Sequence, residues 1–209
     1  MSDAPAPSVV VLIDYQNIHL TARDVFAPPG TDAKDTLIDP VAFAERVVEV
    51  RAERQQIPEQ KNAKLQAVKI YRGRPSNQHE PRLYSANQRQ AANWSRDPRV
   101  TITSRTLRYP ANWGESWCEE RPREKGIDVL VALDVVDLAQ QGTYDVVILA
   151  SHDTDLEPAI ERALYRGRSR VETGGWHGAR RLKPGRRNVW HTALEGADFV
   201  SVRDRRNYW

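Results

Sequence analysis

The sequence predicts an α/β fold: a mainly parallel central sheet of about five strands, covered by helices on both faces. Three observations predict it. Short apolar runs alternate with longer stretches of helical spacing, the signature of successive strand–helix–strand units. The runs, such as SVVVLID and YDVVILAS, are continuous and β-branched instead of alternating with polar residues, as expected for strands buried on both faces. At 209 residues the chain can close one well-cored domain but not two large ones.

The elements follow in order. Residues 1–7 have no basic stretch before the first apolar run, so they read as a short disordered lead-in and not as a signal peptide. Residues 8–14 form the first strand, ending at Asp14, and 24–38 a loop. Asp39 caps a helix over 39–55, with Pro40 at its first position. Strands over 65–73 and 99–107 flank a helix over 80–96. The long loop 108–124 holds two Trp, one Tyr and three Arg, placed either to stack bases and hold phosphates or to pack the loop on the body. A helix over 125–142 stops at Gly142, a strand spans 144–151, a helix over 155–167 stops at Gly167, and a strand covers 169–176. Residues 8–175 thus form one domain, with 176–209 a basic extension packed on it.

Composition narrows the class. Cys118 is the single cysteine, which excludes an intrachain disulfide and a thiolate metal cage and suits a reduced, cytoplasmic setting. No window nears the roughly 18 apolar residues that cross a bilayer, so no membrane partner is expected. Charge is unevenly spread: residues 162–209 carry 12 Lys/Arg against 4 Asp/Glu, leaving 19 basic and 24 acidic groups elsewhere. A basic, Arg-rich end on an acidic body suits a polyanion approaching one side, or simply keeps the surface solvated. Arg180, Arg181, Lys183, Arg186 and Arg187 sit in a segment without periodicity and read as exposed and mobile, while Arg123 and Lys125 precede the helix of 125–142.

The acidic residues are placed more sharply. In a parallel sheet, ligands bind outside the carboxyl ends of the strands. Asp14 ends the first strand there, and Asp153 and Asp155 follow the fourth. Asp128 shares a helical face with Val131, Val135 and Ala139, so it is expected to point inward, where a buried charge needs a partner; an acid favoured by the helix dipole is the alternative. Asp134 falls on the opposite, solvated side, and Asp155 is as well suited to capping the next helix as to binding a metal. An oxygen-rich set without a His or Cys cluster suits Mg²⁺ or Mn²⁺, and beside a basic surface it points to phosphodiester hydrolysis.

VLIDYQNI, KGIDVLVALDVVDLA and YDVVILASHDTDLEPAIERALYRG together resemble the NYN domain family, a branch of the PIN-like nucleases, over roughly residues 8 to 175. The resemblance implies a three-layer α/β/α PIN-like fold and Mg²⁺- or Mn²⁺-dependent cleavage of RNA, single-stranded by preference. It carries the catalytic acids onto Asp14, Asp128, Asp153 and Asp155, a polar partner onto Asn17, and the residue before them in the last motif onto Ser151. The family motif also favours Asp134 as a ligand, against the helical-face argument. His152 stands where the family usually has Gly, a bulky, titratable side chain beside the site, and Ser151 and His152 are expected to face the nucleic acid.

Rival readings fit less well. A haloacid-dehalogenase-type phosphatase wants a second Asp at the position of Gln16, a topoisomerase/primase-type site wants Glu in place of Asp14, and a dinucleotide fold wants glycines that IDYQNI lacks. A catalytically weak RNA-binding or regulatory module remains the alternative. A homodimer or a protein partner is left open.

Overall fold

The computed structural model describes residues 5–56, 60, 62–185 and 187–209; Arg186 and the first four residues of the expected lead-in lie outside them. Six parallel strands run in the order β3-β2-β1-β4-β5-β6: β1 (Ser8–Asp14), β2 (Lys64–Arg74), β3 (Val100–Thr106), β4 (Val146–Ala150), β5 (Arg170–Trp176) and β6 (His191–Leu194). Helices α1 (Tyr15–Phe26), α2 (Pro40–Arg54), α3 (Pro81–Trp94), α4 (Ile127–Gln141), α5 (Glu157–Arg166) and α6 (Gly196–Ser201) complete the chain.

The alternation of β1 assigns the layers. Val9, Val11 and Ile13 pack with side chains of α1, α2 and α6 and with Trp94. Val10 and Leu12 face the other way, against Val131 and Val135 of α4 and Ile160 of α5. Val9 to Leu12 are wholly inaccessible, as the absence of polar residues in the run requires. The architecture is α/β/α, as expected.

The sheet holds one strand more than the sequence suggested. β6 is only four residues long and follows an irregular Arg-rich stretch, too short for its periodicity to register. It pairs with β5 through Thr173–Trp176, so residues beyond 175 complete the sheet. Helix α1 also went unread, because it starts at Tyr15 with no turn residue after Asp14 and no side-chain cap. Helix α6, in the basic extension, was not anticipated either; the remaining strands and α-helices lie within two residues of their expected ends, the ordinary ambiguity of helix and strand termini.

One charged pair spans the sheet and a covering helix. Arg51 of α2 donates to both oxygens of Glu172 on β5 at 2.7 and 2.8 Å, and both side chains are fully buried. Arg170 adds a contact at 2.6 Å from the solvent side. Replacing Arg51 by Met should therefore cost about 3 kcal/mol in urea denaturation, since it leaves the buried Glu172 with only the part-exposed Arg170 as a charged partner. The double variant Arg51→Met/Glu172→Leu should recover most of that loss, and an additive double variant would contradict this account.

Candidate active site

Strand order fixes where a site can form. β1 has β2 on one side and β4 on the other, so connections diverge from this point and leave a crevice beyond the carboxyl ends of β1 and β4. Asp14 ends β1 there, and Ser151 to Asp153 follow β4. Across the crevice lies the start of α4, where Gly126 adopts φ +75°, a left-handed turn that glycine makes without strain and that sets Lys125 and Asp128 on the rim.

The resulting groove, about 550 Å³, is lined by Asp14, Asp24, Glu124, Asp128 and Asp153 against a single ammonium, Lys125. Asp14 is buried, and its carboxyl is pushed up to about 7. Burial is the chief cause; the Ser151 hydroxyl opposes it, while Glu124 and Asp153 add like-charge repulsion. Glu124 is also held above the usual carboxylate range by burial, although its Oε1 accepts from the Gly73 backbone N–H. Two carboxyl groups raised at one crevice mark a place short of positive charge.

A small relay of hydrogen bonds holds the acids. Ser151 Oγ donates to Asp14 Oδ2 at 2.9 Å and accepts from the Asp153 backbone N–H at 3.1 Å. Asn17, on the first turn of α1, accepts through Oδ1 from the His152 backbone N–H at 2.8 Å. The loop after β4 is thereby tied to both β1 and α1. Asp153 caps the 3-10 turn Thr154–Leu156 by accepting from the Asp155 backbone N–H at 3.0 Å.

Several expected placements need correction. Asp128 is exposed, not turned in among apolar neighbours, because on the first turn of α4 Ile127 takes the buried position. Asp134 is partly solvated, as expected, but paired and off the groove: it accepts from Lys69 Nζ at 2.8 Å and Tyr71 Oη at 2.5 Å, two turns along α4 from the rim. Asp155 is exposed within the 3-10 turn and outside the groove lining, and the capping suggested for it falls to Asp153.

Ser151 and His152, expected on the nucleic-acid face, are turned into the protein. Both are buried, and Ser151 orients Asp14 instead. The Trp176 backbone N–H donates to His152 Nε2 at 3.1 Å, so the ring proton sits on Nδ1 and is donated to the Arg180 carbonyl at 2.8 Å. Burial lowers the pKa of this ring and keeps it neutral. The ring occupies the space above Gly175, where a Cβ would come within 2.5 Å of it.

Arg180, Arg181, Lys183 and Arg187 are exposed, as expected of the basic segment, but the segment is pinned. Leu182 and Val189 are buried beneath it, the Lys183 N–H donates to Glu157, and Arg187 donates to the Leu164 carbonyl. Lys125 lines the groove, while Arg123 lies in the neighbouring loop, bridged to Arg108. In that loop Trp113 packs edge-on against Tyr109, whereas Trp117 remains 69% exposed.

Glu124 was missed by sequence reasoning. Its signal was its place directly before the Lys-Gly-x-Asp turn, at the end of what reads as an unstructured loop. As a donor set, Asp14, Glu124, Asp128 and Asp153 are all oxygen, which suits a hard divalent ion. Among the described residues, no three such side chains close into a cage.

A family model described as NYN domain matches residues 8–183. A crystal structure of a protein of unknown function from Vibrio parahaemolyticus resembles this one with a TM-score of 0.50 at 19% identity, over 87% of this chain and 88% of that one, a likeness of fold. No curated protein matches the chain.

The raised Asp14 pKa has a signed consequence. Its folded value of about 7 lies above the unfolded 3.8, so ionisation costs stability progressively as pH rises between the two. With divalent ions removed, Asp14→Asn should be more stable than wild type at pH 8, on the order of 3 kcal/mol. The two proteins should converge near pH 4. Urea denaturation at both pH values checks this, and a variant less stable at pH 8 would refute the assignment.

Proposed function

The chain belongs to the NYN domain family of PIN-like nucleases, and from that premise we propose that it is a metal-dependent ribonuclease acting at the acidic groove. The observation that carries this reading is the convergence of Asp14, Glu124, Asp128 and Asp153 on one crevice at the point where the sheet order reverses. So dense a set of carboxylates repels a phosphodiester unless a cation intervenes. Asp14 and Asp153 on one wall, with Asp128 and Glu124 opposite, are the residues that would hold Mg²⁺ or Mn²⁺. The bound ion supplies Lewis acidity toward a phosphate oxygen and toward an attacking water.

The remaining roles belong to the chain. Ser151 keeps the Asp14 carboxylate oriented through its hydroxyl. Asn17 fixes the loop that presents Asp153, so it is a positioning residue. Lys125 offers the groove its ammonium for a flanking phosphate. The exposed run from Arg180 starts where its carbonyl meets His152, one residue from Asp153, and continues along α5. A single strand leaving the groove thus meets Arg180, Arg181, Lys183 and Arg187 in turn, with Arg123 on the other side. RNA is the substrate this reading assigns, and contacts of this kind bind backbone without reading sequence.

The rival reading is a catalytically weak RNA-binding module on the same fold. Cleavage decides between them. Asp14→Asn and Asp153→Asn should each lower Mg²⁺-dependent cleavage of single-stranded RNA at least 100-fold, with circular dichroism unchanged. Wild-type rates in either variant would end the ribonuclease proposal. Mg²⁺ should also raise the melting temperature of the wild type, an effect that EDTA reverses and that Asp14→Asn reduces.

The basic run makes a separate prediction. Changing Arg180, Arg181, Lys183 and Arg187 to Gln should weaken RNA binding equally across sequences and flatten its salt dependence by about 0.7 log units per lost phosphate contact. Cleavage at saturating RNA should stay within a few-fold. A salt titration giving identical slopes for both proteins would remove the run from the binding surface.

A further inference from the structure

Next to the acidic groove lies a second cavity of about 540 Å³, which shares Gln16 and Leu20 with the groove lining. Its polar wall is built on Arg72 of β2. The guanidinium carbon lies 5.0 Å from the ring centroids of both Tyr15 and Trp94. Its hydrogen-bonding partners are neutral carboxamides: Nη1 donates to Gln90 Oε1 at 2.9 Å, and Asn87, with its oxygen turned inward, accepts at 2.7 and 3.2 Å. Both carboxamides meet Arg72 through oxygen, so each has its NH₂ group left as a donor, and both residues line the cavity. The remaining wall is largely apolar, including Leu20, Leu83, Ala86, Leu107 and Trp209. Asp32 is its sole carboxylate, at the mouth, where it pairs with the Lys34 ammonium at 3.4 Å; Gln16 and His19 add neutral polar groups.

A cation backed by aromatic rings, amide donors and apolar walls is a poor receptor for a bare phosphate, which would leave the apolar surface uncovered. It suits a flat apolar body with hydrogen-bond acceptors along one edge, and the volume falls within the roughly 300–1,000 Å³ usual for such ligands. Guanine has this form. O6 and N7 accept on one edge, where Arg and amide donors read them, while N1–H and the exocyclic N2 amino group donate on another, toward a carboxylate such as Asp32. Bases of a single strand are free to leave the stack and enter such a pocket.

We propose that this cavity is a base-reading subsite, which receives a guanine from the single strand whose backbone occupies the acidic groove. Cleavage is then selective for phosphodiesters beside a guanosine. The inference rests on the ribonuclease reading for its substrate, but it concerns groups that reading does not use.

Titration calorimetry of the full chain with guanosine, guanosine 5′-monophosphate, cytidine 5′-monophosphate and inorganic phosphate tests it. Both guanine ligands should bind at least 10-fold more tightly than the cytidine nucleotide. Gln90→Leu should lose at least 10-fold of that affinity. Leu83→Trp, which fills the mouth from a position 37% exposed and so spares the core, should do the same. Asp14→Asn should keep guanine affinity within two-fold, which separates this test from the one on cleavage. Equal affinity for the two nucleotides, or phosphate competing as well as guanosine, overturns the subsite. Guanine selectivity in a chain that cleaves no RNA keeps the subsite and ends the ribonuclease reading. Cleavage that depends on Asp14 but shows no guanine preference does the reverse.

Discussion

A carboxylate at the end of a fully buried strand is the constraint around which this molecule is arranged. Val9 to Ile13 carry Asp14 out of the core to the one edge of the sheet where it can meet other groups, and even there it is only 6% accessible. Its partner is Ser151, and the same hydroxyl holds the backbone of Asp153. A single buried acid therefore fixes the ends of β1 and β4 relative to each other. Asn17 extends the arrangement to α1, and the left-handed turn at Gly126 supplies the opposite wall. Repulsion between these acids is the cost of assembling them, and it shows in the raised carboxyl of Asp14.

Much of this was legible in the sequence, for a physical reason. Continuous β-branched runs have little choice but to be buried strands, and the carboxyl ends of parallel strands converge on one edge. Asp14 and Asp153 could thus be placed on a common rim without coordinates. What escaped was set by tertiary contacts. Helical geometry put Asp128 on the inner face, but on the first turn of α4 its neighbour Ile127 takes the buried position, and the carboxylate lines the groove instead. Asp134 looked solvated because its partners, Lys69 and Tyr71, lie more than sixty residues away. Glu124 sat in a stretch with no period at all. Helix α1 was hidden because nothing in Asp14-Tyr15 announces a turn, and the strand passes directly into the helix.

The basic end of the chain was read as an appendage by its composition, yet it finishes the sheet. β6 covers the edge of β5, and Leu182 and Val189 enter the core beneath α5. Exposed cations are thereby mounted on a rigid support. Their directions are set by the fold, and the entropy of ordering that backbone was lost on folding, not left for a ligand to supply.

His152 and Gly175 carry a consequence for how this chain can change over generations. The imidazole fills the volume above a glycine and joins two backbone groups, the Trp176 amide and the Arg180 carbonyl. A side chain at 175 has no room while His152 is present, and shrinking His152 orphans both backbone groups at once. Each position is therefore neutral only in the company of the other. Descendants that alter one must pass through a damaged intermediate or change both together, so the two sites should be inherited as a linked pair.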